Sequence, residues 1–215
     1  MTDGQKPQKH MEGLGVANTI TLVRILLIPL FLVAFLSSWP VLFDDAATFF
    51  ALRPWIAAVV FVLISATDAV DGYVARKRGE VTTFGKFIDP LADKLLVTAA
   101  LLALVQAGIL PGWIAFIIIA REFVISGLRM VASAEGVVIS ASGIGKAKTT
   151  FQNIAIVMFI VMNHTSVLGI PSGSMLGQMV IWLAWAIMLV AVALTLLSMW
   201  DYFRHASQTL KGPWS

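Results

Sequence analysis

From Gln178 to Trp200 the chain carries no charged side chain. A helix needs about 20 residues to cross the hydrocarbon core of a bilayer, so this stretch can span one unaided. Five further apolar runs precede it. They place helices at 20–38, 55–76, 90–108, 113–131, 147–164 and 178–200, punctuated by Ser37-Ser38-Trp39-Pro40, Gly108, Pro111-Gly112 and Pro171-Ser172-Gly173. Apolar residues make up 59% of the chain and charged ones 13%. That leaves too little polar surface for a water-soluble globule and too little charge for a disordered chain. The reading is an all-α integral membrane protein with six transmembrane helices. It has one domain over 20–203, a polar lead-in at 1–19 suited to the membrane interface, and a tail at 204–215.

Charge placement gives the topology. With both termini in the cytoplasm, all of the 15 Lys and Arg except Arg53 fall on the inner side, the distribution of a multi-pass protein of the cytoplasmic (inner) membrane. The net charge of +3 is scattered between hydrophobic runs and forms no continuous basic face, which argues against nucleic acid as a partner. The first apolar run is too long for a secretory signal and lacks a small-residue cleavage site, so it is expected to stay. Cysteine is absent, which removes disulfides and thiolate metal sites.

The acidic residues are less expected. Apart from Asp44 and Asp45, they too lie on the cytoplasmic side, and Asp68, Asp71, Asp89 and Asp93 fall in or beside spans. The second run is apolar only from Trp55 to Ala66, so its helix must continue through Asp68 and Asp71 to complete a crossing. At about 1.5 Å rise per residue, Asp68 then sits roughly 12 Å along the axis from Arg76, which marks the interface. Asp68 and Asp71 share one helix face at i, i+3, and Asp89 and Asp93 share another at i, i+4. A connection of about a dozen residues brings the two helix ends together. Four carboxylates at this depth must be protonated or neutralised by cations, and all-oxygen ligands favour Mg²⁺, Mn²⁺ or Ca²⁺. Taken alone, Asp89-Pro90 also reads as a helix N-cap followed by proline at the first helical position, which needs no metal. Asp93, inside the helix, has no such explanation. Gly72 and Ala75 strip bulk from the helix beside these carboxylates, for helix packing or for ligand approach. Arg76 offers a planar fork suited to phosphate or a simple anchor at the membrane border.

Written out, the segment is Asp68-x2-Asp71-Gly72-x2-Ala75-Arg76-x8-Gly85-x3-Asp89-x3-Asp93. It resembles, at every fixed position, the signature of the CDP-alcohol phosphotransferase family. The resemblance implies a six-helix membrane fold, commonly homodimeric, that uses two Mg²⁺ or Mn²⁺ ions to transfer a phosphatidyl or related group from a CDP-linked donor to an alcohol. It further implies that Asp68, Asp71 and Asp89 are metal ligands and that Asp93 is both general base and a neighbour of the metals. Gly72, Arg76 and Thr82 match positions that contact the CDP moiety, and Asn18 and Arg24 are assigned to the same CDP-diacylglycerol donor. Arg24 has a second reading, in which it snorkels to lipid phosphate.

Beyond the signature, the chain from Asn18 to Tyr202 is most similar to members that act on glycerol 3-phosphate and release phosphatidylglycerol phosphate and CMP. The similarity rests on Asn18-Thr19-Ile20-Thr21, Ile119 through Arg129, Gly145-Lys146-x-Lys148-Thr149, and Leu194 through Ser198 with Tyr202. Charge supports an anionic acceptor. Arg121, Arg129, Lys146 and Lys148 lie on the cytoplasmic halves of helices four and five, and buried cations need a partner such as a phosphate. The plainer reading makes Lys146 and Lys148 positive-inside anchors and pairs Arg121 with Glu122 or an aspartate. Inositol phosphate or phosphatidylglycerol is the alternative acceptor. A divalent-cation transporter is the alternative from another class, although the apolar outer halves of the helices leave it no route across. A structural membrane scaffold would leave the four clustered carboxylates without a reason.

Overall fold

A computed structural model describes residues 16–36, 52–67, 83–134, 143–162, 166–167 and 170–209. Six helices account for nearly all of them. These are α1 Val16–Leu36, α2 Leu52–Thr67, α3 Thr83–Gln106, α4 Gly112–Ala134, α5 Gly143–Val161 and α6 Met175–Thr209. A short antiparallel hairpin, β1 Ser166–Val167 and β2 Ile170–Pro171, joins α5 to α6, with Ser166 opposite Pro171.

Local chemistry sets the helix ends. At the end of α3 the Gly108 N–H donates to the Val105 carbonyl (3.0 Å) and the Ile109 N–H to the Leu104 carbonyl (3.0 Å). Gly108 takes a left-handed φ of 71° to allow this pair of bonds, the Schellman arrangement. An L side chain pays about 1–2 kcal/mol in that region. Gly108→Ala should therefore lower stability by about that amount, measurable as a reduced thermal midpoint in detergent. Pro111 follows just before α4, where a missing N–H is harmless. Ser174 caps α6: its hydroxyl accepts from the Gly177 N–H (3.0 Å). Arg53 lies at the other end of a pairing between α1 and α2. Its guanidinium donates to the carbonyls of Ala34 and Phe35, satisfying the otherwise orphaned C-terminal carbonyls of α1.

These contacts set consecutive helices antiparallel. The starts of α1, α3 and α5 therefore share one end of the bundle with the far ends of α2, α4 and α6. Side-chain contacts agree: Phe31 on α1 meets Phe61 on α2, Asn153 Nδ2 on α5 donates to Ser65 Oγ on α2, and Phe159 on α5 packs edge-on to Trp185 on α6.

The bundle has two unlike halves. Away from the shared end the core is wholly apolar, with Phe31, Phe61, Leu101, Leu104, Ile114, Ile118, Ile156, Phe159 and Met188 buried. Towards the shared end the buried residues include Thr21, Arg24, Lys148, Gln152, Thr195 and Ser198. The outside is apolar as well: Leu26, Phe116, Trp182 and Trp200 are each more than 70% exposed. A soluble protein hides its most apolar helix, yet only 28% of the most apolar window of α6 is buried. Such a surface suits lipid and suggests a membrane protein.

By length and hydropathy alone, one helix, over Met175–Arg204, qualifies as a crossing. Among the described residues, further apolar helical stretches run over Thr21–Leu36, Leu52–Thr67, Lys94–Gln106 and Ala147–Val161. Helix bounds also differ from the sequence expectation. α3 begins at Thr83 instead of 90, and α6 runs to Thr209 instead of 200. At 35 residues α6 is about 52 Å long, well beyond a hydrocarbon core of about 30 Å.

Candidate active site

The helical start of α3 decides one question about Asp89. Because α3 begins at Thr83, Asp89 lies inside a helix already under way and cannot be its N-cap. The capping explanation therefore fails. Pro90, lacking an N–H, leaves one carbonyl of the preceding turn without its usual helical donor. Asp89 and Asp93, one turn apart on a continuous helix, occupy the same face by backbone position. On α2 the helix persists to Thr67, whose hydroxyl donates to the Ile64 carbonyl (2.6 Å). Asp68 is the next residue, and with Asp71, Gly72, Arg76 and Thr82 it lies outside the described residues. Asn18 and Lys146 are placed by backbone only, within α1 and α5.

The basic residues of α4 and α5 are brought together in part. Lys148 is 1% exposed, and its ammonium on α5 pairs with the Glu122 carboxylate on α4. Arg121 donates through Nε (3.1 Å) and Nη2 (2.8 Å) to Ser198 Oγ on α6, and through Nη1 (3.3 Å) to Glu122 Oε1. The Ser198 hydroxyl in turn donates to the Thr195 carbonyl (3.0 Å). Three helices thus meet at one charged cluster. Its burial shows that Lys148 is not a surface anchor. Arg24, 2% exposed, is likewise enclosed by the bundle and does not snorkel to lipid. Arg129 stands apart: it is exposed on α4 and lies 5.5 Å from the centroid of the Tyr202 ring.

Two polar residues near this cluster carry little signal in the sequence. Adjacency suggests only Arg121 as a partner for Glu122, which also pairs with Lys148, distant in the chain. Gln152 follows Lys148 by one turn of α5, is buried, and has no hydrogen-bond partner for Oε1 among the described residues. The similarity between Lys148 and Gln152 in burial and face was hidden by their place within an apolar run.

The family model for CDP-alcohol phosphatidyltransferases matches residues 14–197. The chain belongs to this family. A CDP-diacylglycerol–glycerol-3-phosphate 3-phosphatidyltransferase of Bacillus subtilis (strain 168) is 41% identical over 92% of the chain and 97% of its own length. A protein of the same name from Rickettsia felis is 33% identical over 88% of the chain and 94% of its own length. For a CDP-alcohol phosphatidyltransferase, the aspartate pattern from Asp68 to Asp93 lies within the matched span, and so does the Arg121–Glu122–Lys148–Ser198 cluster, except for Ser198 itself.

Proposed function

We propose that the protein transfers a phosphatidyl group from CDP-diacylglycerol to glycerol 3-phosphate, giving phosphatidylglycerol phosphate and CMP. The observation that carries this reading is near-full-length similarity to enzymes named for that reaction, together with the intact Asp68–Asp93 signature. In this reading the six helices all cross the cytoplasmic membrane, both termini are cytoplasmic, and the chain acts as a homodimer with its site at the cytoplasmic end of the bundle.

Asp68, Asp71, Asp89 and Asp93 supply hard oxygen donors, and the shared face of Asp89 and Asp93 on α3 fits a divalent pair. Two Mg²⁺ or Mn²⁺ ions held there would neutralise the diphosphate and the charge developing on departing CMP. Asn18, Gly72, Arg76 and Thr82 hold the CDP end of the donor, with Arg24 beside them. Asp93 accepts the proton of the acceptor's hydroxyl as its oxygen attacks the phosphatidyl phosphorus. The bond from that phosphorus to the bridging oxygen breaks, and CMP leaves with both electrons. Arg121 and Lys148 hold the acceptor's phosphate, with Lys146 and Arg129 at the rim.

The test is CMP release by detergent-purified protein given CDP-diacylglycerol, Mg²⁺ and a panel of acceptors. Glycerol 3-phosphate should support release, and inositol phosphate or phosphatidylglycerol should not. EDTA should abolish release, and excess Mg²⁺ or Mn²⁺ should restore it. Release with inositol phosphate alone would reassign the acceptor; no release with any acceptor would remove the reading.

A further inference from the structure

We infer that Glu122 is a positioning residue for the acceptor, holding the two cations that grip its phosphate; this rests on the function proposed above. The observation is a single carboxylate shared by two cations from different directions. Lys148 reaches Glu122 from α5, and Arg121 reaches it from the adjacent position on α4. Lys148 is 1% exposed and Glu122 20%, so the carboxylate links the buried ammonium to accessible surface.

Charge explains why a negative residue belongs in a site for an anion. An ammonium buried without a counter-charge loses its proton or drives the helices apart. Glu122 supplies that counter-charge before any substrate arrives. Geometry supplies the rest. Ser198 Oγ accepts two of the five N–H groups of Arg121 and Glu122 accepts a third, which fixes the guanidinium plane. Arg121, Lys148 and Glu122 together carry one net positive charge, which an incoming phosphate can meet. Glu122 acts on the acceptor only through Arg121 and Lys148, and it touches no reacting atom.

A positioning role predicts a selective kinetic defect. Glu122→Asp keeps the charge but withdraws it by one methylene, and should raise KM for glycerol 3-phosphate several-fold. Glu122→Gln should raise it by about tenfold or more, the effect of losing one charge-assisted contact. In both, KM for CDP-diacylglycerol should stay within about twofold of the parent, since the donor end of the site is untouched. Should Glu122→Gln fail to fold, Glu122→Asp carries the comparison. An unchanged KM for glycerol 3-phosphate in Glu122→Asp would overturn the inference, and so would equal rises in both KM values. The parent protein separates the two levels: if it turns over glycerol 3-phosphate while the variants show no selective defect, only the role of Glu122 is lost. If it releases no CMP, the functional reading falls and the inference with it.

Discussion

Asp93→Asn should cut CMP release by about 10²–10⁴-fold while leaving the protein folded. That range is the usual contribution of a positioned general base. The substitution is nearly isosteric, but an amide cannot take up the alcohol proton and is a poorer ligand for a divalent ion. Asp93 lies well inside α3, ten residues beyond its start at Thr83, so the helix needs no side-chain cap there. The loss should therefore appear in turnover at saturating substrates, with an unchanged elution profile in detergent. Added Mg²⁺ should not restore the rate. Near-normal turnover would remove Asp93 as the base and shift attention to the other three carboxylates.

Lys148→Met should raise KM for glycerol 3-phosphate by about 10- to 100-fold, the loss of a hydrogen-bonded charge contact worth about 1.5–3 kcal/mol. Methionine matches the length and apolar stem of lysine, so the space inside the bundle stays filled. Breaking a fully buried ion pair can cost about 3–5 kcal/mol, but Glu122 keeps Arg121 as a partner and is partly exposed, so the stability loss should fall below that. Initial rates titrated with glycerol 3-phosphate at saturating CDP-diacylglycerol measure the first effect. Thermal denaturation measures the second. A KM unchanged from the parent would place the acceptor's phosphate elsewhere.

The helices were legible in the sequence because bilayer and core make the same demand on an apolar run. Their ends were less so. Hydropathy marks where side chains leave water, whereas a helix begins where its backbone bonds begin. Around α3 the two differ: Lys86 and Asp89 are polar yet helical, and Pro90 mimics a start signal in mid-helix. The aspartates were visible because their spacing is local, set by one turn of helix. The pairing of Glu122 with Lys148 was not, because it depends on how α4 and α5 each pack against α6. Adjacency in sequence pointed to Arg121 instead, and that contact does exist, but at 3.3 Å. Arg53 shows the reverse case. As a lone outer cation it carried only topological meaning, and packing revealed a cap for the carbonyls of α1.

The division of the bundle into an apolar half and a polar half has an electrical meaning. A side-chain packing such as Phe31, Phe61, Leu104, Ile118 and Phe159 admits no water and no counter-ion, so it is an insulating plug. In an energised membrane the voltage falls across that plug, where each elementary charge moved would exchange about 2.3 kcal/mol per 100 mV. In the proposed placement of the site, the anions and the proton of the transfer reaction would all travel beyond the plug, on one side of the voltage drop. With the site placed there, lipid synthesis by this protein would draw no work from the membrane potential and would not be slowed by it.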